Sequence, residues 1–219
     1  MYRPIITLLI ALTGPLCHGA EPTGLTLELT DSTTGQPVVD AVIILDSGSE
    51  NQPAEAEIIQ KNREFQPHSL VIARHSKVDF PNRDNTQHHV YSFSPAKVFD
   101  LELYAGRPEK PITFDQTGVV EIGCNIHDNM QGFILVTDVN PAGYTDDQGR
   151  LDLRLPASAN GNAESGLRIW HPRMTDNTRM ARFTVNQPYP EFLELSVELS
   201  PEPAGDDRLD GLQKRFREL

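Results

Sequence analysis

One short segment of the chain gathers residue types that bind soft metal ions. Cys124, His127 and Met130 follow one another at intervals of three residues, directly after the apolar run at residues 119–122. A thiolate, an imidazole and a thioether in one short loop can converge on a single ion, and soft sulfur ligands favour copper, above all Cu(I). The remaining ligand would come from a different strand, at His88. Together the four side chains predict one mononuclear copper ion with two imidazoles, a thiolate and a weak axial thioether, the set used in electron transfer.

Two other chemistries use the same residues. Methionine is not a usual zinc ligand, so a zinc site fits only if His89 also binds, in place of Met130. A thiolate beside an imidazole can also attack a carbonyl carbon, but no orienting residue or oxyanion motif accompanies Cys124 and His127. Side chains alternate between the two faces of a strand, so only one of His88 and His89 should face the ion. Because no orienting residue or oxyanion motif accompanies the cysteine, we expect a metal site without catalytic residues.

The segments that carry these ligands resemble a known family. The Asn-rich turn and strand at residues 81–90, and the Cys-Asn-Ile-His-Asp-Asn-Met segment at residues 124–130, resemble the plastocyanin, amicyanin and pseudoazurin group of cupredoxins, and also exported proteins of the methylamine-utilisation type. The resemblance maps the first ligand onto His88 and implies type 1 copper that cycles between Cu(I) and Cu(II). Two positions depart from the family: His89 stands where Asn is usual, and Ile126 where Pro is common. His89 is then expected beside the ligands rather than among them.

The elements that must position this site are strands. Helical periodicity is confined to residues 209–219, and Gly, Pro, Asn and Asp clusters punctuate the rest of the chain. Alternating or continuous apolar residues predict strands at residues 25–29, 38–45, 70–72 and 119–122. We therefore predict an all-β protein, and the cupredoxin resemblance implies a Greek-key β-sandwich.

The cupredoxin resemblance leaves both flanks of the chain to explain. Residues 26–45, residues 145–156 and residues 167–172 resemble strands of transthyretin-like sandwiches of the carboxypeptidase-regulatory type. Our hypothesis is that the cupredoxin unit is inserted into this second sandwich, whose halves pair across the insertion. The predicted divisions are a signal peptide at 1–20, the first flanking part at 21–53, the cupredoxin domain at 54–138, the second flanking part at 139–200 and a tail at 201–219.

The N-terminus has the layout of a secretory signal peptide. Arg3 precedes a short apolar run at residues 5–12, and the small residues Gly19 and Ala20 precede polar sequence. We expect cleavage near Ala20 and a periplasmic or otherwise exported protein with Cys124 as its single thiol. The rest of the sequence contains no apolar run long enough to span a membrane.

The net charge of the chain limits the classes of partner that it can bind. With 31 acidic and 19 basic residues the formal charge is −12, which argues against nucleic acid, whose phosphates require basic surfaces. An acidic face can instead steer a basic redox protein. We expect single-electron transfer without enzymatic activity. Two alternatives stay open: a periplasmic copper carrier or storage protein, and a non-redox binding or structural module that uses Trp170 and His171.

Overall fold

A computed structural model describes residues 23–127, 130–155 and 164–201, and its regular elements there are all strands. The prediction of an all-β protein is confirmed. In the part of the chain that the structure covers, no helix is long and apolar enough to cross a membrane. The predicted signal peptide at 1–20, the tail beyond residue 201 and the amphipathic segment at 209–219 lie outside the described residues.

The strands follow one another with short connections. In chain order they are β1 (Thr23–Asp31), β2 (Val42–Leu45), β3 (Glu55–Glu57), β4 (Ile59–Lys61), β5 (Glu64–Gln66), β6 (Ser69–Ala73), β7 (Lys77–Asp79), β8 (His88–Ser94), β9 (Lys97–Tyr104), β10 (Ile112–Thr113), β11 (Gly118–Gly123), β12 (Gln131–Thr137), β13 (Gly143–Tyr144), β14 (Arg150–Leu155), β15 (Glu164–Trp170), β16 (Ala181–Asn186) and β17 (Phe192–Val197).

The middle of the chain forms a sandwich around its own core. A five-stranded sheet in the order β6-β12-β11-β8-β9 packs against a three-stranded sheet in the order β10-β7-β3. Val78, Phe80, Val90, Val120 and Ile134 are fully buried between them. The β4-β5 hairpin closes against the same core through Phe65.

The strands before and after this unit pair with one another. β1 pairs antiparallel with β14 and parallel with β17, while β2 pairs with β13 and β15, and β15 pairs with β16. Leu25, Leu27 and Leu29 of β1 pack with Leu153 and Ile43 in a second apolar core. Among the described residues, no strand ladder joins these flanking strands to the five-stranded sheet. The insertion hypothesis predicts this pairing across the inner unit, and the domain boundaries stay a prediction.

The flanking strands form two sheets, β14-β1-β17 and β13-β2-β15-β16, which enclose the second core as a second sandwich. A third apolar layer lies between the two sandwiches. β2 and β12 are buried on both faces: Ile134 of β12 faces the inner core, whereas Phe133 and Leu135 pack with Ile44 of β2 and with Trp170. The rings of Phe133 and Trp170 meet edge to face, with 5.1 Å between their centroids. A strand that is covered on both faces has a continuous apolar sequence, and both β2 and β12 contain such a run.

Trp170 does not offer the exposed binding surface considered from the sequence. Its side chain is buried, and its indole N–H donates a hydrogen bond to the carbonyl oxygen of Asn177 at 2.8 Å. The hypothesis of a binding module that grips a ligand through Trp170 is wrong, because the ring fills the layer between the sandwiches instead.

Candidate metal centre

The loop that carries the cysteine is held by strands on both sides. β11 and β12 pair antiparallel up to Gly123 and Gln131, so that Cys124 and Met130 stand opposite each other where the ladder ends. The Cys124 amide donates to the Met130 carbonyl oxygen, and the Met130 amide donates to the His127 carbonyl oxygen, both at 3.1 Å. Cys124 and Met130 are both buried in the inner core. The sheet thereby presents Cys124 and His127 from one short, hydrogen-bonded turn.

His88 reaches the same place from the neighbouring strand. It is the first residue of β8, which pairs with β11 at Tyr91 and Gly123, and its side chain is completely buried. The Nδ1 atom of His88 lies 3.8 Å from the sulfur of Cys124, and the Nδ1 atom of His127 lies 3.7 Å from that sulfur. All three donor atoms lie within 4.8 Å of one another. Within the described residues this is the only group of three such side chains.

These separations fit ligands of one ion. A first-row ion such as zinc binds sulfur at about 2.3 Å and imidazole nitrogen at about 2.0 Å. At angles between tetrahedral and trigonal, those bonds set nitrogen and sulfur about 3.5–3.7 Å apart, close to the distances in this structure. Two imidazoles and a thiolate are also the donor types that suit copper. The site therefore fits a metal ion, and its donors are those of a copper centre.

The predicted fourth ligand belongs to the same loop. Met130 follows His127 by three residues and shares the apolar cluster with Cys124. The structure thus brings His88, Cys124 and His127 together and places Met130 in the core beside them. The assignment of all four as ligands stays a prediction.

His89 points away from the donor cluster. Its Nε2 atom lies 2.5 Å from a carboxylate oxygen of Asp100 on β9, and its ring is tilted against the Tyr91 ring with 5.4 Å between the centroids. The neighbouring His88 faces inward, as alternation along a strand requires. A zinc site that depends on His89 therefore lacks this ligand.

Asp84 is the residue near the site that the sequence reasoning missed. One of its carboxylate oxygens lies 2.8 Å from Nε2 of His88, and the carboxylate also accepts the amide N–H groups of Asn62 at 2.7 Å and Arg63 at 2.9 Å. Burial by itself raises the pKa of Asp84, but the hydrogen bonds from Arg63, His88 and Asn62 outweigh it and hold the pKa below its usual value. Its place four residues before His88 gave no signal, because that spacing brings side chains together on a helix and not in an irregular turn.

Asn82 fixes the path of the segment that holds Asp84. It is buried, its amide group donates to the carbonyl oxygens of Thr86 at 2.8 Å and Tyr104 at 3.0 Å, and its side-chain oxygen accepts the Asp84 amide at 2.9 Å. Three hydrogen bonds from one side chain therefore shape the turn that leads into His88.

Comparison with known proteins finds similarity in structure alone. No protein-family model and no curated protein matches the chain. A purple cupredoxin from Nitrosopumilus maritimus is 23% identical, and the alignment covers 37% of this chain and 99% of that protein, with a TM-score of 0.34. An oxidised amicyanin variant is 15% identical over 44% of this chain and 99% of its own, with a TM-score of 0.35. Plastocyanin from Dryopteris crassirhizoma is 17% identical over 37% of this chain and 99% of its own, with a TM-score of 0.33.

The inner unit is a β-sandwich, as predicted, and its assignment as a cupredoxin stays a prediction. Its five-stranded sheet carries the first histidine on β8 and the cysteine loop between β11 and β12. The similar structures cover less than half of this chain.

Proposed function

We propose that this chain is an exported protein that binds one copper ion through His88, Cys124 and His127, with Met130 as a weak axial ligand, and passes single electrons without transforming a substrate. The observation that carries the proposal is the convergence of two imidazole nitrogens and one thiol sulfur within 4.8 Å. Copper bound there would supply a Cu(I)/Cu(II) couple. Export is proposed from the pattern of residues 1–20 alone.

The protein holds the donors in place before any ion arrives. His88 is buried and hydrogen-bonded to Asp84, and the cysteine loop is closed by the amides of Cys124 and Met130. Donors fixed by a sheet and by hydrogen bonds have little freedom to rearrange when the charge at the site changes. Burial also keeps the thiol of Cys124, 6% exposed, away from external oxidants. Both features suit repeated one-electron cycling.

One edge of the site lies near the surface. His127 is partly exposed, whereas His88 is buried. Beside it, Ile126 and Leu103 are exposed and line a shallow cleft with His89, Glu102 and Asn125. We propose that electrons arrive and leave through His127 and that Ile126 and Leu103 contact the partner. The formal charge of −12 favours a redox protein with a basic surface.

The first experiment is a titration of the protein lacking residues 1–20 with Cu(II), followed by visible absorption and electron paramagnetic resonance. We expect an intense thiolate-to-copper band that saturates at one equivalent and is absent in Cys124→Ser. His89→Gln is the matched control, since this neighbouring imidazole faces Asp100, and it should keep the band.

Two results would contradict the proposal. Weak copper binding without the thiolate-to-copper band would exclude a type 1 copper site. Binding as Cu(I) with ready release to a chelator, and no reversible oxidation, would favour the copper carrier or storage alternative.

A further inference from the structure

Asp84 is coupled to the metal centre through the far side of the His88 ring. The carboxylate lies 2.8 Å from Nε2 of His88, while Nδ1 of the same ring faces the Cys124 sulfur at 3.8 Å. We propose that Asp84 is a positioning residue that fixes the tautomer of His88 and lowers the reduction potential of the copper site. This inference rests on the copper function proposed above, and the tests below separate the two.

The hydrogen-bond geometry determines where the imidazole proton lies. An ionised carboxylate can only accept hydrogen bonds, so the neutral ring must carry its proton on Nε2 to bond Asp84. Nδ1 then presents its lone pair toward Cys124. Carboxylate partners of this kind orient metal-binding histidines and increase the basicity of the donor nitrogen.

The negative charge of Asp84 is supported by the backbone around it. Asn62 and Arg63 form the turn of the β4-β5 hairpin, and both adopt left-handed backbone conformations, with φ of 59° and 62°. This turn directs both amide N–H groups at Asp84. Successive amides aimed at one anion form a concave anion-binding site. With the His88 ring, three N–H donors therefore stabilise the ionised carboxylate.

The position of Asp84 lets its charge act on the site. Its side chain is 15% exposed and that of His88 is fully buried, so solvent screens this pair less than a surface pair. A negative charge hydrogen-bonded to the ligand ring stabilises Cu(II) more than the less positive Cu(I), and this lowers the reduction potential of the site. The neighbouring His89 and Asp100 pair has similar chemistry, but Asp100 is 65% exposed and His89 lies outside the donor cluster.

The pair of histidine–aspartate contacts provides a matched experiment. Asp84→Asn and Asp100→Asn each remove one negative charge beside a histidine, and Asp84→Glu keeps the charge. Partners of this kind change metal affinity by about tenfold or more. We expect Asp84→Asn to weaken Cu(II) binding relative to Cu(I) binding by about that factor, which raises the potential by about 59 mV for one electron. Asp100→Asn should change that preference less than twofold, and Asp84→Glu should recover at least part of the wild-type value.

A second measurement needs no metal. Nitrogen-15 spectra of the histidine rings in the metal-free wild-type protein should show His88 protonated on Nε2. A proton on Nδ1 would overturn the assignment of Asp84, even if Asp84→Asn fails to fold. A wild-type thiolate-to-copper band together with equal potentials for Asp84→Asn and Asp100→Asn would also overturn it, while the copper function stands. A wild-type protein without the band would instead overturn the copper function and, with it, the effect on the potential.

Discussion

Phe133 projects from β12 into the layer between the two sandwiches, and its truncation should destabilise the whole protein. The side chain is 1% exposed and meets Trp170 edge to face. Phe133→Ala removes the ring and leaves a cavity that two rigid sheets cannot easily fill. Substitutions of this kind lower the free energy of unfolding by about 3–5 kcal/mol. The aromatic contact itself accounts for about 0.5–1.5 kcal/mol of that loss beyond the buried area.

Tryptophan fluorescence can measure this loss of stability. Trp170 is the only tryptophan in the chain, so its fluorescence during urea unfolding reports on this layer directly. Phe133→Leu, which keeps much of the apolar volume, should lose about 1 kcal/mol, the order of the aromatic contact. Phe93→Ala is the matched control: this ring is 78% exposed, and a surface substitution should change the free energy of unfolding by less than about 0.5 kcal/mol.

A loss below about 1 kcal/mol for Phe133→Ala, far short of the expected range for a buried ring, would refute this reasoning if the tryptophan emission maximum also stayed unchanged. The two sandwiches would then not share a packed layer at β12.

Two further predictions concern pH and the turn before the first histidine. His171 is half-buried; burial, and then the charge of Arg173, lower its pKa below 6.5, and its Nδ1 accepts the Arg173 amide at 3.2 Å. The neutral ring therefore stabilises the fold above about pH 6.5, and this contribution is lost as the pH falls through the lowered pKa. The free energy of unfolding in urea should be higher at about pH 7.5 than at about pH 5.5, and His171→Gln should reduce that difference. Asn82→Ala leaves three partly buried backbone groups without this partner and should lower the free energy of unfolding by about 1 kcal/mol. An unchanged urea midpoint would contradict the bonding described for Asn82.

The local parts of the site could be predicted from the sequence. Cys124, His127 and Met130 share one short loop, so their spacing alone places them near one another. The opposite facing of His88 and His89 follows from strand alternation. Asp84 could not be found in this way, because its contact with His88 depends on an irregular turn shaped by Asn82 and by a distant hairpin.

The long-range parts of the fold were harder to predict. Apolar patterns indicate that β1 and β2 are strands, but they carry no information on which strand pairs with which. The role of Trp170 stayed open between core and binding surface for a related reason: an aromatic residue at a strand end followed by a histidine looks the same in sequence whether it faces solvent or another sheet. Only the packing against Phe133 decides between the two.

The second sandwich bears on the metal centre through β11 and β12. Val119 and Phe133 on the outer face of these strands pack in the layer shared with the flanking sandwich, while Val120 and Ile134 on the inner face belong to the core of the inner sandwich. Buried apolar residues at successive positions resist displacement, because any shift opens a cavity on one side or the other. The loop with Cys124 joins the ends of these two strands. Its anchor points therefore cannot move without disturbing two apolar cores at once.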